Sequence, residues 1–144
     1  MKLFPRCVTR NPMIFWLILA IAVRCMAAAL FTSPNMWECG GIARNLVAGN
    51  GFSYNLLRSQ LTPSAYMPPG YPFIIAGVFS LLGDGDAARL LLLAINCLAG
   101  AATVLLVYQL GYLIGGARTA WVSAILQALF PTQVLSAARL HPFV

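Results

Sequence analysis

Apolar residues dominate this chain in long runs that polar positions interrupt in only a few places. Three of these runs, at 13–31, 87–113 and 119–136, are long enough as helices to cross a hydrocarbon core of about 30 Å, at about 1.5 Å per residue. The turn between the last two runs contains Gly115, Gly116 and Arg118. The pattern therefore predicts three membrane-spanning helices. A cleaved signal peptide is the alternative for the first run, but its unbroken apolar length favours an uncleaved anchor.

The segment between the first two runs, residues 32–86, is predicted to be a loop with two shorter helices. In the first helix, at about 35–48, apolar and polar side chains fall on opposite arcs. The apolar arc contains Met36, Cys39, Ile42, Ala43, Leu46 and Val47, and the polar arc contains Trp37, Glu38, Arg44 and Asn45. We expect such a helix to lie in the membrane interface with its apolar face towards lipid.

The second loop helix, at about 70–82, begins within the sequence MPPGYP (67–72) and is too short for a typical span. We interpret it as an interfacial or re-entrant helix whose direction is set by the Pro-Pro-Gly turn. Full spanning by residues 68–82 is the alternative, and it would invert the topology of everything that follows.

Composition supports a membrane protein. The chain is 60% hydrophobic and 8% charged, with a mean hydropathy of +0.82, whereas soluble domains are about one quarter charged. The predicted fold class is therefore an all-α integral membrane protein. Lys2, Arg6 and Arg10 precede the first run and place the N-terminus in the cytoplasm, with the loop 32–86 outside. The net charge of +6 comes from dispersed residues, so it does not indicate nucleic-acid binding.

Two further patterns bear on possible sites. The four cysteines stand far apart and form no Cys-x-x-Cys or Cys/His set, so the sequence does not support a zinc-binding motif or a disulfide framework. Arg24 interrupts the first apolar run, where a charge is costly. It either extends outward to the membrane surface or faces inward near an anionic lipid headgroup.

The motifs of soluble enzymes are absent from the sequence: it has no P-loop, GxSxG, HExxH or dinucleotide fingerprint. What remains is Glu38, the only acidic residue before position 84. A carboxylate at the outer face can take a proton from an acceptor nucleophile or bind a divalent cation. Helix capping is an equally simple explanation, because Asn35 as N-cap with Glu38 three residues later forms a capping box.

Four segments together carry a resemblance to a known family: NMWECGGIARNL at 35–46, GNGFS at 49–53, PPGYP at 68–72 and AARLL at 87–91. Their order and spacing resemble the N-terminal part of the polyprenyl-phosphate-sugar-dependent glycosyltransferases of the GT-C superfamily. The closest groups are the bacterial family 39 proteins related to protein mannosyltransferases and the lipid A aminoarabinose transferases. The resemblance implies a bacterial inner-membrane enzyme that transfers a sugar from a polyprenyl-phosphate donor to an acceptor on the outer face. It also implies two juxtamembrane helices in the first outer loop.

The resemblance also implies site residues. Glu38 matches the family's glutamate, while Asn35 occupies the position of its catalytic aspartate, where an amide cannot act as a base. His141 stands where a second acid is expected, and it is a candidate ligand for a divalent metal ion. The candidate contacts for the lipid phosphate are Arg58, Arg89 and Arg139, although anchoring at lipid headgroups explains arginines at an interface equally well.

Family members have many more spans and usually a soluble outer domain. The resemblance therefore implies that these 144 residues are an N-terminal part that works with the rest of the enzyme, and we expect no turnover from them alone. The alternative is a small non-enzymatic membrane protein that packs with larger membrane partners.

Overall fold

The computed structural model describes residues 12–31, 36–54, 62–63 and 67–138. In these residues the chain forms five helices and one pair of two-residue strands. The elements are α1 (Pro12–Phe31), α2 (Trp37–Val47), β1 (Ser53–Tyr54), β2 (Thr62–Pro63), α3 (Gly70–Leu82), α4 (Asp86–Leu129) and α5 (Pro131–Ala138). The predicted helical character is confirmed, and the two predicted loop helices correspond to α2 and α3. The antiparallel strand pair, with Ser53 opposite Pro63, was not predicted.

The glycine turn predicted between the last two apolar runs is a sharp break inside α4. Gly116 has φ 74° and ψ −166°, a conformation that is open essentially to glycine alone. The chain folds back at this point, because a Cβ added to Gly111 would lie only 3.0 Å from the Cα of Ala120. Small residues at such a contact let two helical backbones approach closely. Helix α4 therefore consists of two arms that pack against each other.

The single helix predicted over 119–136 is wrong, because Pro131 divides it. Helix α4 ends at Leu129, and Phe130 is extended with φ −62° and ψ 115°. Proline lacks the N–H that would continue the helix and disfavours the helical conformation in the residue before it. At the first position of a new helix proline is well tolerated, and Pro131 begins α5.

One apolar cluster joins α1 to both arms of α4. Its buried members are Trp16, Ala20, Ala101, Val104, Tyr108, Ala120, Ala124 and Ala128. The indole of Trp16 makes edge-on contacts with Phe15 and Trp121, at centroid distances of 5.2 and 5.0 Å. The many alanines place the helices close together around this aromatic group.

The outer sides of the same helices expose large apolar side chains, among them Ile18, Met26, Leu30, Leu106, Leu113 and Ile114. Among the described residues, one helix, Asp86–Leu129, is long and apolar enough by length and composition to cross a membrane. The three separate spans remain a prediction.

A second apolar cluster is formed by α2, α3 and the start of α4. Its buried members are Met36, Cys39, Ile42, Ala43, Met67, Ile75, Ala76, Val78, Phe79, Ala88 and Leu92. The predicted apolar arc of α2 is thus largely correct, although Val47 at its end is exposed. Its predicted contact with lipid is wrong, because α3 covers this face. Helices α2 and α3 therefore form a separate layer, packed on one end of α4.

Candidate functional site

Glu38 lies at the second position of α2 and is partly exposed. It forms no hydrogen bond or ion pair with any other residue that the structure describes. The helix is capped by Met36 without a side-chain hydrogen bond, so the predicted capping box is not seen within the described range. Asn35, the predicted N-cap, lies outside that range. The carboxylate of Glu38 therefore stabilises no helix end or ion pair among the described residues.

The next residue, Cys39, anchors α2 in the second cluster and is fully buried. Burial raises the pKa of the Cys39 thiol, and the neighbouring Glu38 carboxylate raises it further. Both effects disfavour the thiolate. At neutral pH, Cys39 is therefore a small apolar side chain and not a nucleophile.

The chain that follows α2 returns to pack on it. The side-chain amide of Asn45 donates a hydrogen bond to the Ser53 carbonyl at 2.8 Å. A Cβ on Gly41 would lie 2.8 Å from the Tyr54 ring, so only glycine leaves room for that ring. These contacts hold β1 against the helix that carries Glu38.

An ion pair that sequence reasoning missed connects the two loop helices at their other end. The Nε of Arg44 lies 2.6 Å from Oδ2 of Asp84, and the guanidinium lies 6.0 Å from the centre of the Phe79 ring. Forty positions separate the two charged residues, so no local motif marks the pair. The only signal was the placement of Arg44 on the polar arc of α2.

Arg89, a predicted phosphate contact, lies on the first turns of α4. Its Nη1 donates to Oδ1 of Asp86 at 3.2 Å. Its Nε is buried and has no hydrogen-bond partner in the described part of the chain. Arg89 is therefore partly neutralised by its own helix but retains one unused donor.

A hydrogen bond between side chains joins α3 to α4. The amide of Asn96 donates to the hydroxyl of Tyr71 at 3.0 Å. Burial raises the pKa of Tyr71, and the hydrogen bond from Asn96 offsets part of this rise. Tyr71 is thus neutral at physiological pH, and the bond fixes the start of α3 on α4.

The structure places two of the predicted site residues, Glu38 and Arg89. Each directly adjoins a member of the second cluster, Cys39 for one and Ala88 for the other, so both belong to the layer formed by α2, α3 and the start of α4. The remaining predicted residues lie outside the described range: Asn35, Arg58, Arg139 and His141.

No group of three or more His, Cys, Asp or Glu side chains that could hold a metal ion occurs among the described residues. The divalent metal ion therefore stays a prediction. Since Arg44 and Arg89 each pair with an aspartate, Glu38 is the unpaired charge among the described residues of the layer formed by α2, α3 and the start of α4. This arrangement favours proton transfer at Glu38 over anion binding at Arg44.

Comparison of the chain with family models, curated proteins and solved structures found no match.

Proposed function

We propose that the chain forms the first spans and the first outer loop of a membrane glycosyltransferase of the GT-C superfamily. The whole enzyme would transfer a sugar from a polyprenyl phosphate to an acceptor on the outer face of the bacterial inner membrane. The observation that carries the proposal is the partly exposed carboxylate of Glu38 on the layer formed by α2 and α3, which has no partner among the described residues. A carboxylate in this position is suited to accept the proton of an acceptor hydroxyl or amine.

The proposed topology places α1 and the two arms of α4 across the membrane, with the N-terminus in the cytoplasm. The exposed apolar side chains of α1 and α4 support this placement. Helix α3 has 13 residues, or about 20 Å, which is less than the hydrocarbon thickness of about 30 Å. Its length supports an interfacial helix over a full span.

The proposed phosphate contact within the described range is Arg89, whose buried Nε has no partner there. A guanidinium can donate paired hydrogen bonds to phosphate and stabilise the leaving group as charge develops on it. Arg58 and Arg139 are proposed to assist, and His141 is proposed as a ligand if a divalent metal ion takes part. The rest of the enzyme would supply the acceptor site.

The test compares two photoreactive lipids on the purified chain in phosphatidylcholine nanodiscs. One probe is a benzophenone-bearing polyprenyl phosphate, and the other is the matching polyprenol. We expect the phosphate probe to label the chain severalfold more, and Arg89→Gln to remove this preference. Arg118→Gln is the matched control, since Arg118 lies at the turn between the arms of α4 and should leave labelling unchanged. Equal labelling by the two probes would overturn the proposal.

A second candidate function is a non-enzymatic membrane protein that packs with larger partners. The observation that favours it is the large apolar surface of α1 and α4 that the described residues leave uncovered. Under this alternative the two lipid probes label equally, and Glu38→Gln has no effect on any transfer reaction. Sugar turnover by the assembled enzyme that depends on Glu38 excludes it.

A further inference from the structure

Arg24 is a fully buried charge with unused hydrogen-bond donors. Its relative exposure is 0%, on the same stripe of α1 as Trp16 and Ala20. One guanidinium nitrogen, Nη1, donates to the Ala20 carbonyl at 3.2 Å. The other two, Nε and Nη2, have no partner in the part of the chain that the structure describes. A buried charge in this condition is strongly unfavourable unless it is paired and hydrogen-bonded.

Helix α4 leaves space for this side chain. A Cβ added to Gly100 would overlap the Nε of Arg24 and would lie 3.2 Å from its Cζ. Glycine is thus the only residue that fits opposite Arg24 without displacing it. Gly100 itself is partly exposed, so the guanidinium lies just beneath the seam between α1 and α4.

The direction of the side chain argues against a lipid headgroup as its partner. Arg24 lies seven positions before Phe31, the last residue of α1, which is about 10 Å along the helix. Its hydrogen bond to Ala20 turns the guanidinium a further turn away from that end. The predicted extension of Arg24 to the outer surface therefore disagrees with the structure, whereas the predicted inward orientation agrees with its burial. Contact with a headgroup stays a prediction that the direction of the side chain disfavours. A lipid phosphate would have to be drawn roughly 10 Å or more into the hydrocarbon region.

No carboxylate side chain of this sequence is placed to neutralise Arg24. The sequence contains three acidic residues, Glu38, Asp84 and Asp86, and all three lie in the outer loop or at the start of α4. Two of them are paired with Arg44 and Arg89. Ionisable side chains within a membrane pair with one another or with backbone carbonyls, or face a water-filled cavity. The Ala20 carbonyl engages only one of the three guanidinium nitrogens of Arg24.

From these observations we infer that Arg24 is the docking point for a carboxylate on another membrane-spanning helix. The partner is an apolar helix, outside these 144 residues, that carries one aspartate or glutamate near its middle. It packs over the seam between α1 and α4, against the apolar side chains that these two helices leave exposed. Docking requires Arg24 to turn from Gly100 towards the seam, which is a change of side-chain rotamer. The inference is independent of the proposed enzymatic activity.

The test uses synthetic helices as probes. A Leu/Ala-rich peptide of about 23 residues with one central glutamate is compared with a twin that carries glutamine. Association with the chain in phosphatidylcholine vesicles at pH 8 is measured by energy transfer between fluorophores. A tag fused to the C-terminus prevents the chain's own terminal carboxylate from entering the helices and pairing with Arg24. We expect the glutamate peptide to bind about tenfold more tightly, which corresponds to about 1.4 kcal/mol.

Variants test whether Arg24 causes the preference for the glutamate peptide. Arg24→Met should abolish it, Arg24→Lys should keep part of it, and Arg118→Gln should leave it unchanged. Equal binding of the two peptides by the unaltered chain would overturn the inference, and this comparison needs no variant that might fail to fold. A third arm adds phosphatidylglycerol to the vesicles. Loss of the preference there would show that a lipid phosphate occupies Arg24, and it would also overturn the inference.

Discussion

The Nε of Arg44 and the Oδ2 of Asp84 lie 2.6 Å apart, and this ion pair joins the end of α2 to the turn between α3 and α4. Between the two helices lies the second apolar cluster, so charge and apolar contact act on the same interface. Glu38 lies six positions before Arg44, about 9 Å along α2. The ion pair therefore fixes one end of the helix while leaving the carboxylate at the other end accessible.

Replacing Asp84 with asparagine should weaken the attachment of α2 to α3. Because Arg44 is half-exposed, the loss in free energy of unfolding should be at most about 1 kcal/mol. The expected local effect is larger, with faster hydrogen exchange of α2 amides measured by mass spectrometry. The double variant Arg44→Asp/Asp84→Arg should restore much of the protection. If Asp84→Asn leaves exchange in α2 unchanged, the ion pair does not hold the layer together.

Gly116→Ala should destabilise the fold by about 1–3 kcal/mol, because a Cβ is strained at φ 74° and ψ −166°. Thermal unfolding followed by circular dichroism in detergent measures this loss. Gly77→Ala is the matched control, since Gly77 is helical and an added Cβ there would meet no atom within 4 Å. The control should be neutral or slightly stabilising, given the helix propensity of alanine. Equal effects of the two substitutions would contradict the fold-back at Gly116.

Gly100→Ala should destabilise the contact between α1 and α4 by about 1–3 kcal/mol, because the new methyl group overlaps the side chain of Arg24. The cost should largely disappear when Arg24 is replaced by alanine, since the overlapping atoms are then absent. A double-mutant cycle on thermal stability gives the coupling between the two positions. Strict additivity of the two substitutions would show that Arg24 does not lie on Gly100.

Alkylation of Cys39 should require unusually high pH. Its thiol pKa is raised above 9.0 by burial and by Glu38, so the reactive thiolate forms only above that pH. Because the pKa of Cys39 is higher in the folded state than in the unfolded chain, the neutral thiol contributes fully to the free energy of unfolding below about pH 9. This contribution is lost as the pH rises through the raised pKa of the folded state. In a variant with Cys7, Cys25 and Cys97 replaced by alanine, the rate of iodoacetamide modification against pH reports the pKa. Glu38→Gln should move this profile to lower pH, and an unmoved profile would contradict the influence of the carboxylate.

Much of the secondary structure follows from local patterns. The positions of α2 and α3 could be predicted because glycine and proline bound them and their apolar residues have helical spacing. The turn near Gly116 was equally visible, since two adjacent glycines interrupt a long apolar run. The division of the last helix at Pro131 was missed because the apolar run continues on both sides of this proline. A continuous apolar run suggests one helix, whereas the proline ends it.

Contacts between distant segments could not be predicted from the same patterns. An amphipathic helix shows which face is apolar, but not whether lipid or another helix covers it. This is why the cover that α3 provides for α2 was missed. Two further contacts likewise depend on which elements become neighbours: the ion pair of Arg44 with Asp84 and the packing of Arg24 against Gly100. For the candidate site, the sequence indicated Glu38 and Arg89, and the structure added the aspartate that pairs with Arg89.

The fold-back at Gly116 also bears on how the protein assembles. The contact between Gly111 and Ala120 spans only nine positions of the chain, whereas the contact between Arg24 and Gly100 spans seventy-six. Contacts close in sequence cost less chain entropy to form and tend to form early. The two arms of α4 can thus pair from their own residues soon after synthesis. Helix α1, although made first, gains its main packing surface only after that pair exists.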